Sequence, residues 1–352
     1  MSLFQPHIEA MQGYSPGEQP TNPRLIKLNT NENPYPPSPV VLDAIRSVAP
    51  EQLRRYPDPM GNLFRQTAAS IFGVEPQMVL CGNGMDDLLN LTVRAFSGPV
   101  AKLVFPTPTY TLYAVLAEIQ ASMVQEVPFG PDFTLPANDL LAAGGRVTYL
   151  ANPNSPSGTL VEAEVVSDLA SRLTGVLVVD EAYVDFADAD CMSLVHRHDN
   201  VLVLRSLSKG YSLAGLRFGF AVGPKRLIDG LIKVKDSYNV DAIAIQAAAA
   251  AISDQRHARQ CWERVRTERT RLADAMTKLD LPSLPSQANF LLTTVPAKPG
   301  AAAVYEELKT RGILVRYFKL PGLDDKLRIT VGTPEQNDAL LKAIEEIVNT
   351  SV

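Results

Sequence analysis

Lys209 has an unusual setting: in VLRSLSKGYSLAGLRFGF (203–220) it follows one apolar run and precedes a second that begins after Arg217. A lysine beside apolar or cationic neighbours holds its proton less tightly and can then act as nucleophile and base. Other apolar runs also end in polar residues. VLVV ends in DEAY (180–183), with Asp180 and Tyr183; VTYLA ends in NPNSPSG (152–158), with Asn154; VLC ends in GNG (82–84). A carboxylate leaving an apolar run, as Asp180 does, needs a cationic partner or several donors. A ligand meets that need, and so does a helix cap or a structural ion pair.

The GNG turn runs into MDDLLNLTVRAF, a helical pattern, so it sits at a helix N-terminus where free N–H groups and the dipole attract phosphate. It lacks the spacing of the dinucleotide and P-loop glycine motifs, which removes the main support for NAD or a nucleoside triphosphate. Ligands of open α/β sheets bind beyond the carboxyl ends of the strands, where all four of these endings fall. Pyridoxal phosphate requires a lysine for its aldehyde, an acid for its pyridine nitrogen and donors for its phosphate. Lys209, Asp180 and the glycine turn match that set, with Tyr110 in PTPTY as an aromatic candidate. Arg217 offers a planar fork suited to phosphate oxygens.

The elements that must position these residues are seven short apolar runs: MVLC (78–81), AKLVF (101–105), MVQEV (123–127), VTYLA (147–151), VLVVD (176–180), VLVLR (201–205) and FGFAV (218–222). Several are continuous and β-branched, which suits strands covered on both faces. Helical patterns between them, such as Thr109–Ile119 and Glu162–Leu173, imply a doubly wound, mainly parallel sheet. The chain divides into an N-terminal arm (1–40), a large α/β domain (41–240) and a smaller α+β domain (241–352). Recurrent prolines make the arm irregular and extended. A helix with Val41, Leu42, Ile45 and Val48 at helical spacing follows. Ile243–Leu279 reads as helix broken near Ser253-Asp254, then come ANFLLTTV, a helix at 301–311, ILVRYF, KLRITV and a last helix. That last helix opens TPEQ, with Thr333 as N-cap and Gln336 in the capping-box position.

Composition bounds the function. The 352 residues are 46% hydrophobic and 20% charged with a net charge of −5, and they carry no basic tail. This speaks against nucleic acid or an anionic membrane as partner and leaves small molecules. The N-terminus lacks a signal-peptide pattern, and the longest apolar run, Ala242–Ile252, is too short to span a bilayer. Cys81, Cys191 and Cys261 have no metal-ligand spacing, and cytoplasmic residence is expected. His7, His196, His198 and His257 match no catalytic or metal motif.

Over nearly its whole length the sequence resembles the fold-type I aminotransferases, and within them the histidinol-phosphate aminotransferase family. The resemblance runs through YSPGEQP, KLNTNENPYPPSP, RYPDP, GNGMDD, FPTPTY, NPNSPSGT, VVDEAYVDF, RSLSKGYSLAGLRFGF, SQANFLL and LRITVGTPEQN. It implies a large seven-stranded α/β/α domain, a smaller α+β C-terminal domain and pyridoxal 5′-phosphate as cofactor. By position, Lys209 would hold the cofactor's aldehyde, Asp180 its pyridine nitrogen, and Asn154 with Tyr183 its 3-oxygen, while Tyr110 would stack on the ring. Ser206, Ser208, Arg217 and the backbone at Gly84, Met85 and Asp86 would hold the phosphate. Tyr56 would reach that phosphate across a homodimer interface, and Arg328, Arg316 and Tyr14 would grip the substrate's anionic end, with Asn154 beside them.

Met85 and Asp87 depart from the family, where a small residue and Glu are commoner. The implied reaction is transamination between histidinol phosphate and 2-oxoglutarate. An aromatic amino acid aminotransferase and a phosphothreonine decarboxylase are the rivals, and a catalytically silent binding module is a third. Lys209 and Asp180 weigh against the last.

Overall fold

The computed structural model describes residues 2–14, 17–19, 22 and 25–350. Ser15, Pro16, Pro20, Thr21, Pro23 and Arg24 of the expected arm lie outside the described residues. Among the described residues the strands are β1 (Ile26–Lys27), β2 (Val79–Asn83), β3 (Leu103–Thr107), β4 (Val124–Pro128), β5 (Val147–Ala151), β6 (Val176–Asp180), β7 (Val201–Ser206), β8 (Phe218–Val222), β9 (Phe290–Thr294), β10 (Ile313–Leu314), β11 (Arg316–Tyr317) and β12 (Lys326–Thr330).

The seven apolar runs form one sheet in the order β2-β8-β7-β6-β5-β3-β4. The β3–β4, β3–β5, β5–β6 and β6–β7 pairs are parallel. Only β8 is reversed, pairing antiparallel with both β2 and β7. Alternate side chains separate into two cores. Cys81, Val179 and Val203 join one cluster with the alanines of helix Ala242–Ser253; Leu80, Val178 and Leu202 join the other with helices Met85–Phe96 and Leu112–Ile119. Both faces of the inner strands are therefore covered, which is why they read as unbroken apolar runs, whereas the edge strand β4 is mostly exposed.

A second sheet, β11-β12-β9, is antiparallel and packs with helix Ala301–Thr310 and helix Pro334–Thr350 into its own cluster. The long helical stretch is two helices, Ala242–Ser253 and Gln255–Lys278, parted where Asp254 caps the second. At the last helix the capping box is present: the Thr333 amide donates to Gln336 Oε1 (3.0 Å) and the Gln336 amide donates to Thr333 Oγ1 (3.3 Å).

The first forty residues are less irregular than their prolines suggest. Pro6–Ala10 is a short helix, and β1 pairs in parallel with β10, bringing Ile26 beside Ile313. That pairing carries the chain after β1 across the carboxyl ends of the large sheet. Helix Pro39–Arg46 follows, with Val41 buried and Leu42 exposed.

Candidate active site

β6 and β7 are neighbours, and their carboxyl ends deliver Asp180 and the Ser206–Lys209 loop to one place. Side chains alternate along β6, so Asp180 points to the same face as Val178, against helix Leu112–Ile119. From that helix Tyr113 donates its hydroxyl to Asp180 Oδ2 at 2.6 Å, and the Ala182 amide donates to Oδ1 at 3.1 Å. Burial pushes the Asp180 carboxyl up to about 6 despite these donors, and Asp86 adds a smaller push. Asp180 thus has two neutral donors and, among the described residues, no ion-pair partner.

Lys209 donates from Nζ to the carbonyl oxygen of Thr30 at 2.9 Å. Burial first and then the charge of Arg328 lower its pKa to about 8, against an opposing effect of Glu32. Ser208 donates its amide to Ser206 Oγ at 3.1 Å, which shapes the turn between strand and lysine.

At the end of β2, Gly84 has φ +77°, and a side chain there would place its Cβ 2.6 Å from an Arg217 guanidinium nitrogen. Helix Met85–Phe96 begins at the next residue, so its first N–H groups and Arg217 border one concave wall. Arg217 donates from Nη2 to Asp86 Oδ2 at 3.1 Å, and Tyr110 donates its hydroxyl to Asp86 Oδ1 at 3.2 Å. Burial raises the pKa of the Tyr110 hydroxyl, so it remains a phenol.

On the opposite wall, Arg328 donates to Ser155 Oγ (3.1 Å) and to the Asn29 carbonyl (3.0 Å), while its buried Nε has no partner. Burial lowers its pKa, which marks the price of a guanidinium without a carboxylate. Arg316 lies opposite Arg328 in the β11–β12 register. Among the described residues, neither arginine nor Lys209 takes part in an ion pair.

These walls enclose a cavity of about 450 Å³. It is lined by Lys209, Asp180, Tyr183, Ser206, Ser208, Met85, Asp86, Tyr110, Arg217, Tyr14, Arg316 and Arg328, all singled out in the sequence. Three expected residues stand elsewhere. Gly84 lies behind the wall. Asn154 is buried, its amide nitrogen donating to Ser157 Oγ (2.9 Å) and the Pro108 carbonyl (3.3 Å) and its oxygen accepting from Thr109 (2.8 Å). Tyr56 is 81% exposed and stacks on Tyr238 at 4.4 Å.

The segment Asn29–Asn33 was missed as part of the site. Thr30 accepts from Lys209, the Asn29 carbonyl from Arg328, Asn31 donates to the Tyr183 hydroxyl (3.0 Å), and Asn33 donates to the Lys209 carbonyl (3.1 Å). The sequence signal was the three asparagines of NTNEN. Tyr113 was also missed, since an aromatic on a helix facing a sheet reads as core.

The model of the aminotransferase class I and II family matches residues 23–344. A histidinol-phosphate aminotransferase of Nostoc sp. is 52% identical over 99% of both chains, and one of Rhodopirellula baltica is 44% identical over 99% of this chain and 96% of that one. The crystal structure of histidinol-phosphate aminotransferase from Sinorhizobium meliloti in complex with pyridoxal-5′-phosphate is 27% identical, covering 100% of this chain and 99% of that one at a TM-score of 0.90. With the cavity, its lysine and its arginines on one side and these full-length likenesses on the other, the chain belongs to the histidinol-phosphate aminotransferase family of class I and II aminotransferases.

Proposed function

We propose that this enzyme moves the amino group of histidinol phosphate to 2-oxoglutarate, giving imidazole acetol phosphate and glutamate in histidine biosynthesis, with pyridoxal 5′-phosphate as cofactor. The observation that carries the reading is the placement of Lys209 and Asp180 at the ends of adjacent strands, on one cavity wall facing Arg316 and Arg328. The full-length relatives bearing that activity in their names support the substrate.

The donor set fits the cofactor. Asp180, buried and without a cation, suits a protonated pyridine nitrogen. The first turn after Gly84, with Ser206, Ser208 and Arg217, suits a phosphate. Lys209, with its lowered pKa, suits an aldehyde. When bound, pyridoxal phosphate supplies an electron-poor ring that takes up the electron pair left at the substrate's Cα.

The protein's own groups then divide the work. With the cofactor bound, Lys209 would take the proton from the substrate's Cα and deliver it to the cofactor's C4′, and a lysine with a lowered pKa suits both roles near neutral pH. Asp180, held by Tyr113 and the Ala182 amide, would keep the ring nitrogen of the bound cofactor protonated. Arg328 and Arg316 bind the substrate's phosphate, and Tyr14, beside Tyr110, closes the rim. The 2-oxo acid runs the same steps in reverse, so the two half-reactions share one site.

We further propose a cytoplasmic homodimer. Exposed Tyr56 and Tyr238 are an unusual surface pair for a monomer, and a partner's Tyr56 reaching the phosphate would account for its exposure. Among the described residues, no helix is long and apolar enough to cross a membrane.

The test is kcat/KM for histidinol phosphate, phenylalanine and tyrosine with 2-oxoglutarate as acceptor. Histidinol phosphate should lead by about 100-fold or more, the worth of charge-assisted hydrogen bonds to a phosphate. Equal ratios would remove the substrate assignment.

A further inference from the structure

Asn31 is held in a backbone conformation that few residues other than glycine and asparagine adopt. Its φ is +57°, in the left-handed region, and it is 1% exposed. Every polar group it has is used. Its amide donates to Thr330 Oγ1 (3.0 Å), its carbonyl accepts from Asn289 Nδ2 (2.9 Å), its Oδ1 accepts from Thr330 Oγ1 (3.1 Å), and its Nδ2 donates to the Tyr183 hydroxyl (3.0 Å).

These contacts set a direction. The Thr330 hydroxyl accepts from the Asn31 backbone, and its own proton goes to Asn31 Oδ1. That bond turns the amide so that its nitrogen faces Tyr183. The Tyr183 oxygen is therefore an acceptor toward Asn31, and its proton is left for its other partners, Ser155 or a ligand in the cavity that both residues line. Were the amide reversed, its oxygen would capture that proton. Phe290 packs edge-on against the Tyr183 ring at 5.0 Å and leaves the phenol little room to swing.

We propose that Asn31 is a positioning residue, one that aims the Tyr183 O–H at the bound cofactor's ring oxygen and strengthens it as a donor. This rests on the cofactor reading above. Thr330 ends β12 and Asn289 precedes β9, so Asn31 links the small sheet to a phenol of the large one. The hydrogen bond from Asn31 also lowers the pKa of Tyr183, against the larger upward push of burial.

A donor aimed at the ring oxygen favours its ionised form, so losing that aim raises the pH midpoint of the bound cofactor's visible band. The experiment titrates that band in the parent, Asn31→Gly and Asn31→Asp. Glycine keeps the left-handed backbone and removes the amide; aspartate is nearly isosteric and only accepts. The midpoint should rise by about 0.5 to 1 unit in Asn31→Gly and by more in Asn31→Asp, which draws the Tyr183 proton to itself. kcat should fall about tenfold while KM for the amino donor changes less than threefold.

An unchanged midpoint in variants that bind cofactor stoichiometrically overturns the proposal and assigns Asn31 a purely structural role. If Asn31→Gly does not fold, Thr330→Val decides: it frees the amide to reverse, and it must raise the midpoint as well. Absence of a visible band in the parent protein with added pyridoxal phosphate would instead defeat the cofactor reading itself.

Discussion

Arg316 and Arg328 stand opposite each other across β11–β12, and both guanidinium groups lie over the ring of Phe318, at 5.4 and 5.5 Å. Like charges directly opposite in a sheet repel. No carboxylate offsets them among the described residues, and the Arg328 Nε is buried without a partner. A doubly charged phosphate between the two forks would remove the repulsion. Replacing Arg328 with Met should raise KM for histidinol phosphate by about 10- to 100-fold, the range for a charge-assisted bond to a phosphate. Steady-state kinetics with histidinol, which carries neither phosphate nor carboxylate, give the control, and equal loss for both donors would assign Arg328 to structure.

The lowered pKa of Lys209 has a direct readout in the cofactor-free protein. Burial and Arg328 bring it from 10.5 to about 8, so the neutral amine appears well below the usual range. The rate of acylation at Lys209, followed by peptide mass spectrometry, should rise with pH to a midpoint near 8. In Arg328→Met the midpoint should move upward, because one cation has gone. With the cofactor added, Lys209→Ala should leave no adduct fixed by borohydride and reduce turnover by about 10⁴-fold or more. Retained turnover would sink the proposed role.

Asp180 makes the opposite contribution to stability. Burial raises its folded pKa from 3.8 to about 6, so the folded chain keeps a proton that the unfolded chain gives up. Stability from this group is present below about pH 4 and is lost as pH rises through about 6. In cofactor-free protein, the stability of Asp180→Asn relative to the parent should therefore climb across that window, by urea denaturation at each pH. A flat difference would mean that the parent carboxylate already has a cationic partner.

Tyr56 is a prediction about assembly. If it serves the neighbouring subunit, a mixture of Tyr56→Ala and Lys209→Ala chains contains heterodimers with one intact site. Equal mixing should recover about a quarter of parental activity, since half the dimers are mixed and each has one working site of two. No recovery, or an active monomer by sedimentation, would contradict the shared site.

Gly210 tests the support behind the lysine. A Cβ there would clash with the Asp185 carboxylate, and Trp262 donates to the Gly210 carbonyl at 2.8 Å. Gly210→Ala must displace Asp185 or the lysine loop, with a stability loss of about 1–3 kcal/mol as for other overpacked sites. Thermal melting and kcat should fall together.

The large sheet was legible because its inner strands are buried on both faces, which writes short unbroken apolar runs into the sequence; only the edge strand β4 is largely exposed. The polar residues that interrupt those runs, Asp180, Ser206 and Lys209, were legible for the same reason, since core flanks leave them few other uses. The reversal of β8 was not, because FGFAV reads alike in either direction and only pairing with β2 and β7 sets its sense. The arm was misjudged where prolines masked its purpose: Asn29–Asn33 gains its meaning from residues some 150 to 300 positions away, as in the bonds from Asn31 to Tyr183 and Thr330.

Residue chemistry by itself determined that a lysine, an acid and a phosphate turn share the strand ends of one sheet, since local burial patterns identify strands and their ends. Only tertiary structure decided which groups face one another. The two-residue β1–β10 pair lays Thr30 against Lys209, and the β11–β12 register sets Arg316 against Arg328. Such placements sum many weak contacts between distant segments, and no local stretch of sequence contains that sum.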